Sequence, residues 1–349
     1  MVDHYEPGTG GADEKTEQER VTELLREFPK LNDLKDSNGR VPQRTWFFPP
    51  HYHRNGSLAR VVSLCADGYG EIELHLHHGK HQPDTHQNLR DTLERCIEEY
   101  SQYGIFGSVD GERRYAFVHG DSALDNSRGG QFCGVNNEID ILLETGCYAD
   151  FTHPSGPISG PRVANKLFYA TGRDHKAKSY NSGSRAKAGR RGKGLLIFQG
   201  PLHPYYSVSG FHGGLNTLYG LRTLGDHVPD AATTGKRIHA WVDARVNVKG
   251  RDDVIFVKTS THGANYPNSA LGEDTRAILK TLRESAHVHY VTAREAFNTV
   301  RAIEDEVFDE QDPIATKDYE VKPPSYNTEW REREASPQLQ ALIANTYRG

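Results

Sequence analysis

Short runs of β-branched and aromatic residues alternate along the chain with longer segments of helical periodicity. The runs predict strands at Thr45–Phe48, Glu71–His77, Tyr115–His119, Tyr148–Thr152, Leu195–Gln199, Val254–Thr259 and Val288–Val291, with a further stub before Asp3. About eight strands separated by helices are typical of a mostly parallel α/β fold, and we expect an irregular (β/α) barrel of about seven to eight strands. A doubly wound open sheet shows the same alternation, but the chain has no GxGxxG, GxxxxGKS or GxxxxGKT loop to give such a sheet a nucleotide site.

The helical segments each carry one apolar face. These faces consist of Val21, Leu24, Leu25 and Phe28, of Leu89, Leu93, Cys96, Ile97 and Tyr100, and of Ile238, Trp241 and Val242 with Arg245. Asp84 is a suitable N-cap for the second of these helices. No repeat with a period of about 20 to 50 residues is visible, which excludes solenoids and propellers.

A single barrel-like domain is expected over residues 1–308, followed by a proline-containing tail over 309–349 that wraps the outside and ends in a short helix. Within the domain, residues 173–194 are rich in Lys, Arg, Gly and Ser and lack an apolar period, so they predict a flexible basic loop. Such a loop is either a solvated insertion or a rim that attracts a phosphate or an anionic polymer.

Composition excludes several broad classes of protein. Hydrophobic residues make up 36% of the 349 positions, but 13 Phe, 17 Tyr and 3 Trp are spread along the chain and can form a core, which excludes wholesale disorder. The net charge of −5 argues against a nucleic-acid binder, and no apolar run reaches the roughly 18 residues of a membrane helix. The four cysteines form no CxxC pair, which argues against a disulfide framework or a thiolate zinc site. With no leader sequence visible, we expect a cytoplasmic protein.

The predicted strand Glu71–His77 carries the most informative pattern, because side chains alternate between the two faces of a strand. Its apolar face consists of Ile72, Leu74 and Leu76, and its polar face of Glu71, Glu73, His75 and His77. Four ionisable groups on one buried face are costly unless they bind an ion or each other. Imidazole and carboxylate are ligands of zinc-like ions, and barrel folds hold their active sites at the C-terminal ends of strands. The pattern therefore indicates a metal site, with a solvent-facing strand that carries incidental histidines as the alternative.

Other predicted strand ends also carry ionisable side chains. In Val254–His262 the histidine comes at the C-terminal end, where its ordinary pKa of about 6.5 suits it to act as a general acid or base. Asp150 lies near the end of another strand, and Asp125 lies in the loop that follows His119. These aspartates are candidate catalytic carboxylates, with hydrogen-bonded loop residues as the alternative.

Five segments carry a resemblance to a known family. They are VDHYEP at Val2–Pro7, GEIELHLHHG at Gly70–Gly79, HGDSALDNSR at His119–Arg128, CGVNNEIDILLETGCYADFTHPS at Cys133–Ser155, and FVKTSTHGA at Phe256–Ala264. Together they resemble the polysaccharide deacetylase-like proteins of NodB homology, which have a distorted β/α barrel, and specifically a divergent branch met in bacterial surface-polysaccharide loci. The resemblance spans nearly the whole chain up to about residue 300 and implies metal-dependent removal of an acetyl group from an acetylated oligo- or polysaccharide.

In typical members of that family, an Asp-Asp pair supplies a general base and a metal ligand, two histidines four residues apart complete the metal site, and a late histidine is the general acid. By position, the first aspartate, the second aspartate, the first histidine and the acid correspond to Asp3, His4, His75 and His262. The position four residues after His75 is Gly79, so the second imidazole comes from His77 or from His78. His78 falls on the wrong face of a regular strand and swings in only if the chain turns at Gly79.

The resemblance thus implies a divalent metal ion, zinc by the chemistry of its ligands, held by Asp3 or His4 together with His75 and His77. The metal would polarise the acetyl carbonyl and lower the pKa of a bound water. His262 would protonate the leaving amine or alkoxide.

The general base depends on which residue of the first strand binds the metal. If His4 binds it, Asp3 is free to be the base. If Asp3 binds it, the base is Glu73, Asp125 or Asp150.

Two other functions fit the same residues. A glycoside-cleaving barrel would use two carboxylates such as Asp125 and Asp150, with the histidines binding sugar hydroxyls. A non-catalytic polysaccharide-binding or assembly protein on a degenerate barrel is the second, because likeness of fold does not establish a reaction.

Overall fold

A large, mostly parallel sheet forms the centre of the protein. The computed structural model describes residues 1–152, 163, 165–173, 176–177, 183–201, 238–264, 270–330 and 334–347. The strands are β1 Val2–His4, β2 Arg44–Phe48, β3 Gly70–Leu76, β4 Gly107–Val109, β5 Glu112–His119, β6 Cys147–Asp150, β7 Lys166–Ala170, β8 Ser184–Arg185, β9 Leu195–Gln199 and β10 Ser260–Thr261. The helices labelled here are α1 Glu14–Glu27, α2 Ser57–Ala66, α3 His86–Ser101, α4 Glu138–Glu144, α5 Glu273–Ser285, α6 Ala293–Glu304 and α7 Pro337–Tyr347. Residues 238–243 are also helical.

The strands lie in the order β10-β1-β2-β3-β5-β6-β9-β7-β8, with β4 beside β5. Every neighbouring pair from β10 to β9 is parallel, whereas β7 runs antiparallel to β9 and to β8. The C-terminal ends of β10, β1, β2, β3 and β5 therefore meet at one edge. Active sites of parallel α/β folds are built at this edge, since the loops that follow the strands converge there.

The two faces of the sheet are covered by different helices. On one face, Trp46, Ile72 and Leu74 pack with the apolar sides of α1, α2 and α3 in the larger buried cluster. On the other, Phe47 and Val118 pack with α6, in which every residue is buried. The predicted alternation of β3 is confirmed, because its apolar residues all lie in the first cluster.

Two helices begin at residues whose side chains accept hydrogen bonds from the first backbone N–H groups. The N-cap of α3 is Thr85, whose side chain accepts a hydrogen bond from the backbone N–H of Asn88 at 3.2 Å. Asp84, predicted for this role, instead accepts from the backbone N–H of Thr85 at 2.7 Å and contacts His78 at 2.9 Å. A capping box of Thr292 and Glu295 begins α6.

Two predicted strands do not form. Within the described ranges, residues 254–259 have no ladder partner, and β10 begins only at Ser260. In the 288–291 segment, the backbone N–H of Val288 donates to Ser37 Oγ at 3.1 Å and that of Tyr290 donates to Asp36 Oδ2 at 2.9 Å. Backbone groups bound to side chains in this way are not available to a sheet. Sequence reasoning also missed β7, which pairs along its whole length with β9.

The described residues of the basic segment and of the C-terminal tail contact the rest of the domain. Within residues 173–194, Ser184 and Arg185 form β8, and Arg191 pairs with Asp305 and, at 2.9 Å, with Glu320. Residues 174–175 and 178–182 of that segment lie outside the described residues. In the tail, Lys322 pairs with the backbone of β4 and α7 packs on α3.

No helix in the described ranges is long and apolar enough to span a membrane.

Candidate metal centre

Glu6, His75 and His77, called here the Glu6 group, meet at the C-terminal edge of β1 and β3. Their ligand atoms all lie within 4.8 Å of one another. Glu6 Oε1 is 2.9 Å from His77 Nε2 and 3.6 Å from His75 Nε2. A carboxylate and two imidazole nitrogens in this arrangement could hold a divalent metal ion.

His75 is set up as a neutral ligand by its own strand. Its Nδ1 lies 2.9 Å from the carbonyl oxygen of Val118 on β5, and because a carbonyl only accepts, Nδ1 carries the proton. The lone pair is then on Nε2, which faces Glu6. Burial lowers the pKa of His75, although Glu6 partly opposes the effect. Metal-binding histidines are typically oriented by such a contact on the second ring nitrogen.

His77 lies between two carboxylates. Its Nδ1 is 2.9 Å from Asp121 Oδ2, and its Nε2 is 2.9 Å from Glu6 Oε1. Burial lowers the pKa of His77, but hydrogen bonds and charge from Asp121 and Glu6 raise it to about 9. Burial would raise the pKa of Glu6, and the contacts with His75 and His77 bring it well below its usual range. Without a metal, His77 is therefore a cation held by two anions.

Two more imidazoles lie against the Glu6 group, and a third lies behind one of them. The ring centroid of His4 lies 4.8 Å from that of His75 and 4.8 Å from that of His262. The His51 ring lies 5.8 Å from the His77 ring. Burial lowers the pKa of His51 well below its ordinary value. The edge thus collects imidazoles from the ends of β1, β2, β3 and β10, suited to bind a metal or carry a proton.

Asp3 lies beside this group but is bound elsewhere. Its carboxylate is 3.3 Å from Arg44 Nη1, and it accepts hydrogen bonds from the backbone N–H of Gly263 at 3.1 Å and from the Thr261 hydroxyl. Burial raises the pKa of Asp3 and Arg44 lowers it, with a net rise. Because successive residues of β1 face opposite ways, His4 points toward His75 whereas Asp3 points toward Arg44.

The two glutamates of β3 are satisfied by protein partners. Glu71 forms a 2.8 Å ion pair with Arg294 of α6. Glu73 accepts a 2.7 Å hydrogen bond from the backbone N–H of Ala116 and another from the Tyr148 hydroxyl. Of the four polar residues on this face, only the two histidines reach the Glu6 group.

The candidate carboxylates Asp125 and Asp150 are fully buried and do not belong to the Glu6 group. Asp125 Oδ1 accepts a 3.4 Å hydrogen bond from the backbone N–H of Ile139 in α4. Asp150 accepts hydrogen bonds from the backbone N–H of Thr152 at 3.2 Å and from its hydroxyl at 2.5 Å. Burial raises the pKa of Asp150 to about 7, although Thr152 opposes the rise.

A second set of potential ligands lies on the other side of the β3 end. It consists of His78, His119, Cys133 and Glu138, called here the Cys133 group, all buried. His78 points into this group rather than into the Glu6 group, since its Nε2 is 3.1 Å from Glu138 Oε1. Consecutive residues after β3, His77 and His78, therefore serve two separate clusters.

Sequence reasoning missed Glu6, His51, Cys133 and Glu138 as members of these clusters. Glu6 has a signal in the sequence, since it continues the two-residue period of His4 beyond the end of β1. Cys133 and Glu138 lie in a loop and at a helix start, where no period predicts which way a side chain points.

Neither a family model nor a curated protein matches the chain. The residues gathered at the strand edge are therefore the basis for assigning a function.

Proposed function

We propose that the protein is a metal-dependent hydrolase that removes acetyl groups from an acetylated saccharide. The observation that supports this most directly is the Glu6 group, placed at the C-terminal edge of a parallel sheet and surrounded by further imidazoles. A ligand set of one carboxylate and two histidines is typical of hydrolytic zinc sites, which keep a coordination position for water or substrate. The saccharide as substrate rests on the sequence resemblance.

Glu6, His75 and His77 would hold the metal, with His4 as a further candidate ligand. When bound, a metal of this kind polarises an acyl carbonyl and lowers the pKa of water. Val118 and Asp121 would orient the two imidazoles through their Nδ1 atoms. This assignment replaces Asp3 with Glu6 as the carboxylate ligand.

Proton transfer falls to the side chains around the metal position. His262 is partly exposed, and its ring lies against His4, so it can reach a leaving amine or alkoxide above the edge. Asp3 is bonded to the residues on either side of His262, Thr261 and Gly263, and would fix the segment that carries the acid. His262 is thus the proposed general acid and Asp3 a positioning residue.

The proposed fold is an irregular barrel formed by the parallel strands from β10 to β9. Lys258, just before β10, supports this curvature because its ammonium donates to Phe198 O at 2.7 Å and to Phe151 O at 3.0 Å. Phe198 lies in β9 and Phe151 directly follows β6. The side chain that precedes β10, at one end of the row of parallel strands, thereby contacts β9 and the end of β6, which lie toward the other end of the row.

The test combines metal analysis with acetate release. Protein purified without chelators and reconstituted with zinc, cobalt or nickel should release acetate from acetylated chito- or xylo-oligosaccharides, and Glu6→Gln should lose this activity. His86→Ala, an exposed histidine on α3, is the matched control and should keep it. Full metal occupancy without acetate release from any saccharide would overturn the proposal. Release of shortened sugars instead would favour glycoside cleavage.

A further inference from the structure

The Cys133 group brings together four ligand atoms from four different segments. His78 follows β3, His119 ends β5, Cys133 lies in the loop after β5, and Glu138 begins α4. At most 3% of the surface of any of these residues is exposed. Ionisable groups so deeply buried are costly unless their charges are neutralised within the cluster.

The separations from the Glu138 carboxylate to the two imidazoles are close to those of a tetrahedral zinc site. Glu138 Oε1 lies 3.1 Å from His78 Nε2 and 3.5 Å from His119 Nε2. The Cys133 thiol contacts the other carboxylate oxygen, Oε2, at 3.4 Å, and the ligand atoms of the group all lie within 4.8 Å of one another. Zinc bond lengths of about 2.0 to 2.3 Å at tetrahedral angles require ligand atoms about 3.3 to 3.6 Å apart. The carboxylate and the two imidazoles therefore need only small shifts to accept an ion, and the remaining ligand separations, all within 4.8 Å, would close by about an ångström.

Each ligand also has the outer contact that metal ligands usually have. The second ring nitrogen of His78 is 2.9 Å from Asp84 Oδ2, and that of His119 contacts the carbonyl of Gly120. Both contacts direct the Nε2 lone pairs toward the centre of the group.

The acidic ligands are oriented by backbone N–H groups. The backbone N–H of Asp125 donates to Glu138 Oε2 at 2.6 Å, which leaves Oε1 toward the imidazoles. The backbone N–H of Val135 donates to Cys133 Sγ at 3.4 Å, a contact that stabilises a thiolate. Among the described residues, His119 Nε2 has no hydrogen-bond partner although it is buried. An ion at the centre would satisfy it.

We propose that His78, His119, Cys133 and Glu138 form a closed structural zinc site, separate from the proposed hydrolytic centre. Two neutral imidazoles, a thiolate and a carboxylate carry two negative charges, which Zn²⁺ neutralises. Binding releases the thiol proton of Cys133 and the second imidazole proton of His78 to solvent. With four protein ligands the site has no open position, so its role is to fix the loop from β5 to α4. That loop carries Asp121, which contacts His77 of the Glu6 group.

Cobalt substitution tests the site in the intact protein. Of the two groups, only the Cys133 group contains a sulfur ligand. The cobalt-loaded protein should therefore show a near-ultraviolet thiolate-to-cobalt absorption band together with the intense visible bands of tetrahedral cobalt. X-ray absorption of the zinc form should show a sulfur ligand at about 2.3 Å, on average one for every two zinc ions when both proposed sites are loaded. A fully loaded protein without either signal would overturn the proposal and leave the group as a hydrogen-bonded polar core.

Variants separate this site from the hydrolytic centre. Cys133→Ser should abolish the thiolate band and weaken zinc binding at this site by at least about a hundredfold. Cys147→Ser is the matched control. Both cysteines are buried, and the thiol of each donates a hydrogen bond to the backbone carbonyl two residues later in the chain. Glu6→Gln should lose the other metal equivalent and keep the band. A band that persists in Cys133→Ser contradicts the proposal even if acetate release is unaffected.

Discussion

Glu6 illustrates how one side chain determines the chemistry of its neighbours. Its carboxylate contacts both His75 and His77, and these contacts keep its pKa well below the usual range. An anion fixed between two imidazoles attracts either a proton or a metal ion. The tautomer of His75, set by the carbonyl of Val118, leaves a lone pair directed at the same point.

Replacing Glu6 tests whether it is a direct ligand. Loss of a residue that only hydrogen-bonds to a metal ligand lowers metal affinity about ten- to a hundredfold. Loss of a direct ligand should exceed that range, so Glu6→Gln should weaken metal binding by at least about a hundredfold. Asp121→Asn, which changes only the outer contact of His77, should fall within the smaller range. Chelator competition measures both dissociation constants. If the two variants weaken binding equally, Glu6 does not bind the metal directly.

A variant of His262, the proposed general acid, tests catalysis separately from metal binding. In His262→Asn, turnover on an acetylated saccharide should fall about a hundredfold or more, because proton donation contributes that much. Metal content should stay unchanged, since His262 lies behind His4 and not in the Glu6 group. The alkaline limb of the pH–rate profile should also disappear, because it reports loss of the acid's proton. Loss of metal in this variant would instead make His262 a ligand.

At the scale of elements, the sequence predicted what a regular period controls. The parity of β3 correctly separated Leu74 and its apolar neighbours from the polar face, and the apolar face of α1 was correctly placed in the core. The two-residue period did not show which polar residues of β3 belong to the candidate metal group. Glu71 instead forms an ion pair with Arg294, which lies about 220 positions later in the chain. Long-range partners of this kind leave no local trace in the sequence.

The pairing of β3 with α6 carries a stability prediction. Arg294 is 2% exposed, forms two hydrogen bonds to Glu71 Oε1 at 3.0 and 2.8 Å, and donates to Val321 O at 2.8 Å. Removing one partner of a buried ion pair costs about 3–5 kcal/mol, so Arg294→Met should lower the free energy of unfolding by about that amount. Urea denaturation measures the loss.

The double variant Arg294→Met with Glu71→Gln is the control for that measurement. It should recover part of the loss, because no uncompensated charge is left buried. Metal content of the single variant Glu71→Gln should equal that of the unchanged protein, since Glu71 is outside both metal groups. A drop in metal content would return Glu71 to the ligand set predicted from strand parity.

At the scale of the whole molecule, the two candidate metal groups arise from the same strand edge. His77 and His78 follow β3 directly and diverge to opposite sides, and the loop after β5 touches both groups through His119 and Asp121. Parallel topology brings these strand ends to one edge, which the alternation of strands and helices predicted. The loop conformation that carries Cys133 could not be predicted, because it depends on packing against residues distant in sequence.

A metal bound at either candidate group would couple its binding to pH. Without metal, the carboxylates beside His77 and His78 overcome the effect of burial and raise the pKa of each to about 9, against an ordinary value of about 6.5. A raised histidine pKa stabilises the folded state fully below about pH 6.5, and this contribution is lost as the pH rises through about 9. The metal-free protein should therefore become less stable over this range.

The stability that bound metal adds should depend on pH in the opposite sense. A metal ion replaces the protons on His77 and His78, so its affinity should rise from about pH 6.5 to 9 as proton competition weakens. At a free metal concentration of 100 times the dissociation constant, binding adds about 2.7 kcal/mol per site to the free energy of unfolding. At a fixed metal concentration this increment grows as the dissociation constant falls. The difference in Tm between zinc-loaded and chelator-treated protein should thus widen with pH. Thermal scans at pH 6.5, 7.5 and 8.5 measure it, and parallel curves for the two forms would show that neither imidazole exchanges its proton for a metal.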